Sequence, residues 1–311
     1  MAEALIAVRF VHFLAAMGAF GIGAFRVYGL AGESSTRQTA AYGELLRVLH
    51  RAMTSCALTA LLTALAMVPC VAAEMAGSTA VGLDPQTWRL VLTDTTFGRA
   101  WCWHIGFAMV LLVLCLQPPR RVTDGAATLA ALLLLASLGW VGHAAVDHAG
   151  GIGHVINQMT HLTAAGLWLG GLAPLGLLLR RATAADGMAY GELARAVLPH
   201  FSRVGYAAVA MVALTGAVNS ILLVGSVAAL AETGYGRLLA LKILLFLTMV
   251  ALALINRCQL VPRLRDAAAV PVALWALYRS VVGEQALGLA IVAVVSVLGT
   301  WPPAIEAMPM H

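Results

Sequence analysis

Histidines are the residues of this chain whose type and placement most clearly suggest chemistry. Imidazole is the commonest transition-metal ligand and is costly inside lipid without a partner. Of the nine histidines, only His50 and His200 fall near one end of the long apolar segments. The others fall near the opposite end: His12, His104, His143, His148, His154, His161 and His311. As a set they predict a metal or cofactor site on one side of the protein, although any single one is equally well explained as a polar boundary residue.

The densest group lies in the stretch GHAAVDHAGGIGHVINQMTHL. His143 and Asp147 are four residues apart, and His154 and His161 are seven apart, so each pair shares one face of a helix. The intervening AGGIG is flexible enough to let the two helix ends approach. Four imidazoles and one carboxylate could meet here, a set that suits divalent copper. His148 alone is more simply read as a solvated loop residue.

Two further histidines could complete this site. His12 is expected about 10 Å below the outer surface, judged from the rise of a helix. His104 follows Trp101, Cys102 and Trp103 at the entry to its apolar segment. The tryptophans are interpreted as residues of the membrane interface, where indole rings are enriched.

Sulfur ligands suited to monovalent copper are also present. Cys70 and Cys102 fall near outer helix ends and could begin a sulfur-lined path that continues through Met17, Met67, Met109 and Met159. The remaining cysteines, Cys56, Cys115 and Cys258, fall toward the other side. Ordinary packing explains most of these residues as well, because both types fill apolar gaps. The terminal Met308-Pro-Met310-His311 could gather metal ions.

Several polar residues interrupt the later apolar segments and are expected to have structural or gating roles: Trp168, Asn219, Lys242, Asn256, Arg257 and Glu284. Glu284 is predicted to pair with Arg257 or Arg279. Lys242 is expected to need Glu232 or Asn219 as a partner, because an amine is costly in lipid.

Composition identifies the elements that must position these residues. Hydrophobic residues make up 61% of the 311, and charged residues only 11%, whereas soluble domains carry about 25% charged residues. Apolar runs of about 20 residues recur, which is the length that crosses a bilayer. We predict an all-α, polytopic membrane bundle of eight transmembrane helices in a single integral membrane domain. The spans fall near 4–27, 49–73, 100–116, 126–146, 155–179, 201–224, 236–259 and 278–301.

Charge sets the expected orientation, because basic loop residues remain on the cytoplasmic side. Most of the 19 lysines and arginines fall in loops on one side, and only Arg89, Arg99 and Arg237 lie on the other. Both termini are therefore predicted to face outward, and the first segment is expected to be retained rather than cleaved. Acidic residues leave the outer face negative, which would gather cations. The basic balance indicates topology and is not read as nucleic-acid binding.

No phosphate loop, dinucleotide fingerprint, nucleophile elbow or HExxH motif occurs in the sequence. These are the usual signatures of nucleotide-driven pumps and of several hydrolase classes. We therefore expect a protein that is not an enzyme, and one whose transport would run on a gradient or on hand-over from another protein.

The later segments carry ordered motifs that resemble a known family. They are HLTAAGLWLGGL at His161–Leu172, PHFSR at Pro199–Arg203, TGAVNS at Thr215–Ser220, TGYGRLLALK at Thr233–Lys242, NRCQLVPRL at Asn256–Leu264 and RSVVGEQALG at Arg279–Gly288. Together they resemble the CopD (PcoD) family of bacterial copper-resistance inner-membrane proteins. The resemblance implies an eight-helix protein of the inner membrane that binds copper, as Cu(I) or Cu(II), and receives it from a periplasmic CopC-like carrier. It also implies movement of copper toward the cytoplasm.

Three functions remain open from sequence. The first is a copper transporter. The second is a membrane oxidoreductase in which histidine pairs hold haem b. The third is an assembly protein that hands copper to an oxidase without translocating it.

Overall fold

The fold is a bundle of long helices. The computed structural model describes residues 2–30, 39–141, 151–224, 226–266 and 268–307, and no strand occurs in these ranges. Eight of the helices are long and apolar enough to cross a membrane. They are α1 (Ala2–Ala24), α2 (Ala40–Ala76), α3 (Thr96–Cys115), α4 (Arg121–Ser137), α5 (Gly151–Ala182), α6 (Met188–Val224), α7 (Gly234–Ile255) and α8 (Val270–Leu298). The predicted all-α membrane class with eight spans is confirmed.

Shorter turns extend or connect these helices. A π-helical turn, Phe25–Gly29, continues α1, and a second, Asn256–Leu260, leads from α7 into Val261–Arg263. A 3₁₀ turn, Leu138–Trp140, continues α4. Four short helices lie at connections and at the end: Thr79–Gly82, Pro85–Asp94, Val227–Glu232 and Ala304–Ala307. Threonine hydroxyls cap the starts of α3 and α7, where they accept hydrogen bonds from otherwise unpaired backbone N–H groups.

Two helices are much longer than their predicted spans. Both α2 and α6 have 37 residues, whereas about 20 residues suffice to cross a bilayer. Hydropathy detects only the apolar part, so the polar starts of both helices were missed. Glu44 near the start of α2 accepts hydrogen bonds from Arg181 at the end of α5 (2.6 Å) and from Tyr190 at the start of α6 (2.7 Å). These hydrogen bonds hold the ends of α2, α5 and α6 together on the predicted cytoplasmic side.

The first helix lies at the centre of the bundle. Helix α1 packs against α2, α4, α5 and α8, and small residues let these neighbours approach closely. At the crossing with α5, a Cβ atom on Gly21 would lie 2.1 Å from the carbonyl carbon of Gly170. The two backbones are therefore in direct contact, as in the glycine-mediated crossings of membrane helices.

We predict that Gly21→Val destabilises the bundle by about 1–3 kcal/mol or more, because the new side chain would overlap the backbone of α5. Thermal unfolding of the purified protein in detergent measures the effect. Gly106→Val on α3 is the matched control, since no atom lies within 4 Å of the Cβ position there. Equal melting temperatures for the two variants would contradict the α1–α5 crossing.

Candidate metal centre

Two of the predicted histidines meet in the interior. His12 on α1 and His104 on α3 are both fully buried. Their Nε2 atoms are 2.9 Å apart, and the ring centroids are 4.9 Å apart with the planes tilted by 55°. The two residues are 92 positions apart in the chain. The sequence predicted that both lie in the outer half of the membrane, but it could not predict that they are in contact.

A hydroxyl group orients the ring of His12. Its Nδ1 atom lies 2.8 Å from Thr63 Oγ1 on α2, and Thr63 Oγ1 lies 2.6 Å from the backbone carbonyl of Thr59. A hydroxyl has only one proton to donate. When that proton goes to the carbonyl, Nδ1 of His12 donates to Thr63 and Nε2 keeps a lone pair. When it goes to Nδ1, Nε2 carries the ring proton.

The same arrangement holds His104. Its Nδ1 atom lies 2.8 Å from Ser137 Oγ at the end of α4, and Ser137 donates its proton to the carbonyl of Leu134 at 2.7 Å. Ser137 orients His104 as Thr63 orients His12. The two Nε2 atoms are 2.9 Å apart, a hydrogen-bond distance, so that one imidazole donates Nε2–H and the other accepts with its lone pair. A metal ion that replaced this proton would have both Nε2 atoms as ligands.

The separation of the two nitrogens suits a metal ion held by adjacent ligands. With metal–nitrogen bonds of about 2.0–2.1 Å, a 2.9 Å separation corresponds to an N–metal–N angle of about 90°. This is the angle between neighbouring ligands in the tetragonal geometry of divalent copper. The hydroxyl partners act as the outer contacts that typically orient metal-binding histidines.

Trp101 covers this histidine pair. Its ring stacks on His104 with centroids 4.4 Å apart and lies 5.7 Å from the His12 ring. Its Nε1 donates to the carbonyl of Ala64 on α2 at 2.9 Å, and Phe97 stacks on its other face. Assigning Trp101 to the membrane interface was wrong, because only 1% of it is exposed. Trp103, by contrast, is 72% exposed and faces outward as expected.

His161 occupies a separate polar cluster between α5, α6 and α7. Its Nδ1 lies 2.9 Å from Thr215 Oγ1, and Thr215 Oγ1 also lies within hydrogen-bond distance of the carbonyl of Met211, as in the contacts of the histidine pair. Lys242 lies within electrostatic range of this imidazole. An ammonium group at this position would oppose the binding of a cation to His161.

Asparagine and glutamine side chains extend this cluster. Asn157 donates to Asn219 Oδ1 at 2.8 Å, and Asn219 donates to Gln158 Oε1 at 2.8 Å. Both side-chain hydrogen bonds of Asn219 are therefore to residues of α5. Asn219 does not act as the partner that we predicted for Lys242. His154 is buried near the start of α5, two turns and about 10 Å from His161. In the parts of the chain that the structure describes, no group of three His, Cys, Asp or Glu side chains is arranged to hold a metal.

The other predicted ligands lie outside the described residues. They are His143, Asp147 and His148, which precede α5 in the sequence, and Met308, Met310 and His311 at the C-terminus.

The predicted sulfur path divides into buried and exposed residues. Cys70, Met17 and Met67 belong to the core, and Met159 packs against Gly139. Cys102 and Met109 are exposed on the outer surface of α3. Their assignment to an interior path was therefore wrong, because they face out of the bundle.

The predicted ion pair of Glu284 was also wrong. Glu284 is buried and accepts a hydrogen bond from Asn256 Nδ2 at 2.6 Å. Arg257 instead lies over the Tyr206 ring, and Arg279 lies over the Trp275 ring. The hydrogen bond from the Asn256 amide lowers the free-energy cost of burying the Glu284 side chain. Trp168 makes an edge contact with Phe246 that joins α5 to α7.

Sequence reasoning missed the hydroxyl groups that orient the histidine pair. Thr63 and Ser137 are isolated polar residues within apolar runs of alanine and leucine. That isolation is a usable signal, because hydroxyl groups inside spanning helices often bond across to another helix.

Comparison with known proteins places these residues in a family. Residues 1–155, which include the histidine pair, match the family model described as Copper resistance protein D-like, N-terminal domain, and residues 195–298 match the model described as Copper resistance protein D. No solved structure matches the chain.

Three curated relatives extend the comparison. The chain is 32% identical to the inner membrane protein YebZ of Escherichia coli, over 96% of this chain and 98% of the relative. It is 29% identical to Copper resistance protein D of Pseudomonas syringae pv. tomato, over 97% of each chain. It is 27% identical to the copper transport protein CutJ of Bacillus subtilis, over 76% of this chain and 42% of the relative.

We predict that Ser137→Ala weakens copper binding at the histidine pair by about 10- to 100-fold, the range seen when the partner of a ligand histidine is removed. Quenching of Trp101 fluorescence by added copper measures the affinity, because this ring stacks on His104.

Ser296→Ala is the matched control, since this buried serine bonds to the carbonyl of Val292 in its own helix. Trp101→Phe should remove the quenching signal itself. Unchanged affinity in Ser137→Ala would show that the hydroxyl does not orient a ligand.

Proposed function

Because the chain belongs to the copper resistance protein D family, we propose that it takes copper from the periplasm and moves it toward the cytoplasm. It is a multi-pass protein of the inner membrane. Two of its relatives carry the names Copper resistance protein D and Copper transport protein CutJ. Copper is the transported substrate in this proposal, and the chain acts without catalysing a chemical reaction.

One observation carries the proposal. His12 and His104 bring their Nε2 atoms within 2.9 Å of each other in the interior. Both rings are fully buried, and each Nδ1 atom lies 2.8 Å from a hydroxyl group that orients its ring. A pair arranged in this way can bind a metal ion in place of the proton that the two Nε2 atoms share. Imidazole accepts copper readily in a site of this kind.

Delivery to the pair follows from the predicted orientation. The N-terminus of α1 lies on the predicted periplasmic side, and His12 is reached after about three turns of this helix. Acidic residues on that face would attract cations. A separate CopC-like carrier is the proposed donor of the ion.

A haem site at this pair is disfavoured by its geometry. Two axial histidines stand on opposite sides of the haem iron, so with bonds of about 2 Å their nitrogens are about 4 Å apart with the macrocycle between them. The two rings here approach to 2.9 Å, and no macrocycle fits between them. The proposal therefore favours copper over haem b.

We predict that purified protein from copper-grown cells contains copper and no stoichiometric iron, measured by elemental analysis. His12→Ala or His104→Ala should remove the copper, because each variant leaves one nitrogen ligand of two. His200→Ala is the control, since this histidine lies at the far end of the bundle and its Nδ1 is 3.2 Å from a carbonyl of its own helix. Stoichiometric iron in the wild type would replace the proposal with a cytochrome.

Uptake of radioactive copper by intact cells separates transport from delivery. We predict that expression of the wild-type chain raises cytoplasmic copper and that His104→Ala abolishes the rise. Copper bound to purified protein without any accumulation in cells would instead favour a protein that delivers copper without translocating it.

A further inference from the structure

A carboxyl group is buried at the middle of α8, apart from the histidine pair. Glu284 is 14 residues from each end of the helix Val270–Leu298, so it lies about 21 Å from either end. Only 3% of this residue is exposed. An ionisable side chain at such a depth in a spanning helix is costly, and it usually serves the movement of ions or protons.

The amide group of Asn256 is the hydrogen-bond partner of Glu284, and it carries an unsatisfied oxygen. Nδ2 of Asn256 donates to Glu284 Oε1 at 2.6 Å. Oδ1 of the same planar amide is buried and has no hydrogen-bond partner in the described part of the chain. Asn256 as a whole is 8% exposed, so water does not replace the missing donor. A buried carbonyl oxygen without a donor is costly.

Protonation of Glu284 would supply that donor. An ionised carboxylate only accepts hydrogen bonds, whereas a protonated carboxyl group has one O–H to donate. A carboxylic acid and an amide can therefore form two hydrogen bonds side by side, with N–H donating to one carboxyl oxygen and O–H donating to the amide oxygen. The first of these bonds is present, and a proton on Glu284 Oε2 would complete the second.

No cation offsets a negative charge on Glu284. Helix α8 packs against α1, α5, α7, the π-helical turn Asn256–Leu260 and Val261–Arg263. The other charged and titratable groups on these elements and on α8 are Glu3, Arg9, His12, His154, His161, Arg180, Arg181, Tyr235, Arg237, Lys242, Arg257, Cys258, Arg263, Tyr278 and Arg279. None of them lies within electrostatic range of Glu284. Because a carboxylate buried without a cation is far costlier than the neutral acid, these surroundings favour the protonated form.

The pair also depends on how α7 and α8 are packed. Asn256 is the first residue of the π-helical turn that follows α7, and this turn contacts α8. Single π-helical turns within longer helices are frequent at functional sites. Since Asn256 and Glu284 belong to different elements, a separation of the π-helical turn from α8 would remove the amide partner. The occupancy of a proton on Glu284 is therefore linked to the relative position of α7 and α8.

Ser280 extends the polar groups toward the predicted cytoplasmic side. It lies one turn before Glu284 on the same face of α8, and its Oγ is buried with no hydrogen-bond partner in the described ranges. Ser296 of the same helix instead donates to its own backbone at Val292. Because a hydroxyl group can both accept and donate a hydrogen bond, Ser280 offers a released proton its next polar group.

From these observations we infer that Glu284 and Asn256 form a proton-binding site, in which Glu284 holds a proton while the π-helical turn packs against α8 and releases it when the two separate. The inference rests on the proposed function in one respect, because a proton exchanged in this way would be the coupling ion of copper transport. The site itself binds no copper, and its protonation is measured without the metal.

Infrared difference spectroscopy of the full chain in detergent tests the protonated state. At neutral pH, Glu284→Gln should lose the C=O band of a protonated carboxylic acid that the wild type shows. Glu192→Gln is the matched control, because that carboxyl group is exposed on α6 and contributes only a carboxylate band. Equal spectra of the wild type and Glu284→Gln in the acid region would overturn the inference.

A measurement on the wild type guards against loss of folding in the variant. Dicyclohexylcarbodiimide modifies protonated carboxyl groups in apolar surroundings, so mass spectrometry should locate its adduct on Glu284. Asp124 is the internal control, because its ion pair of 2.7 Å with Arg26 holds it as a carboxylate. A Glu284 side chain that stays unlabelled would contradict a proton site there.

Proton movement during copper uptake tests the coupling. Vesicles of phosphatidylethanolamine and phosphatidylglycerol that contain the purified chain and a pH-sensitive dye should change their internal pH as copper enters. Glu284→Gln should abolish this pH change while it keeps the copper content of the wild type. An unchanged pH signal in the variant would overturn the inference. Failure of the proposed function would look different, because wild-type vesicles would then take up no copper while the acid band of Glu284 remained.

Discussion

The contact between the imidazoles of His12 and His104 constrains the first half of the molecule. A buried imidazole has no water to bond with, so the two Nε2 atoms must satisfy each other, through one shared proton or through a metal ion that replaces it. Each ring is fixed by a hydroxyl group from a different neighbour, Thr63 on α2 or Ser137 on α4. The geometry of one contact therefore depends on four helices at once. The bond from Trp101 to the Ala64 carbonyl and that from Thr54 to the Cys115 carbonyl fix α3 against α2 above and below the pair.

Close packing of α1 makes this precision achievable in a bilayer. Lipid tails are as apolar as the helices, so association depends on tight contact and on interhelical hydrogen bonds. Ala16 and Ala19 of α1 are fully buried, and Gly21 brings the backbone of α1 onto that of α5 at Gly170. The helix that carries His12 is consequently held from four sides. A displacement of about 1 Å would be enough to spoil the ligand geometry.

The sequence was sufficient for the eight spanning helices because hydropathy acts over whole segments. It also singled out His12 and His104 as candidates, since histidines are rare inside apolar spans. It could not show that the two rings meet, because helix neighbours in a bundle are set by packing and are not encoded in any local pattern. The ion pair expected for Glu284 failed for the same reason: the arginines at the inner helix ends lie on aromatic rings, and the neighbouring Asn256 supplies the hydrogen bond. The hydroxyl partners were missed because serine and threonine in membrane helices commonly bond to their own backbone.

Under the proposed function the histidine pair must release copper as well as bind it, and a fixed positive charge close to the pair favours release. Both ligands are neutral, and Arg9 lies one turn away within electrostatic range of His12. Its guanidinium rests against Gly299 of the loop after α8, where any side chain would collide with it. A fixed positive charge beside neutral ligands lowers the affinity for a cation.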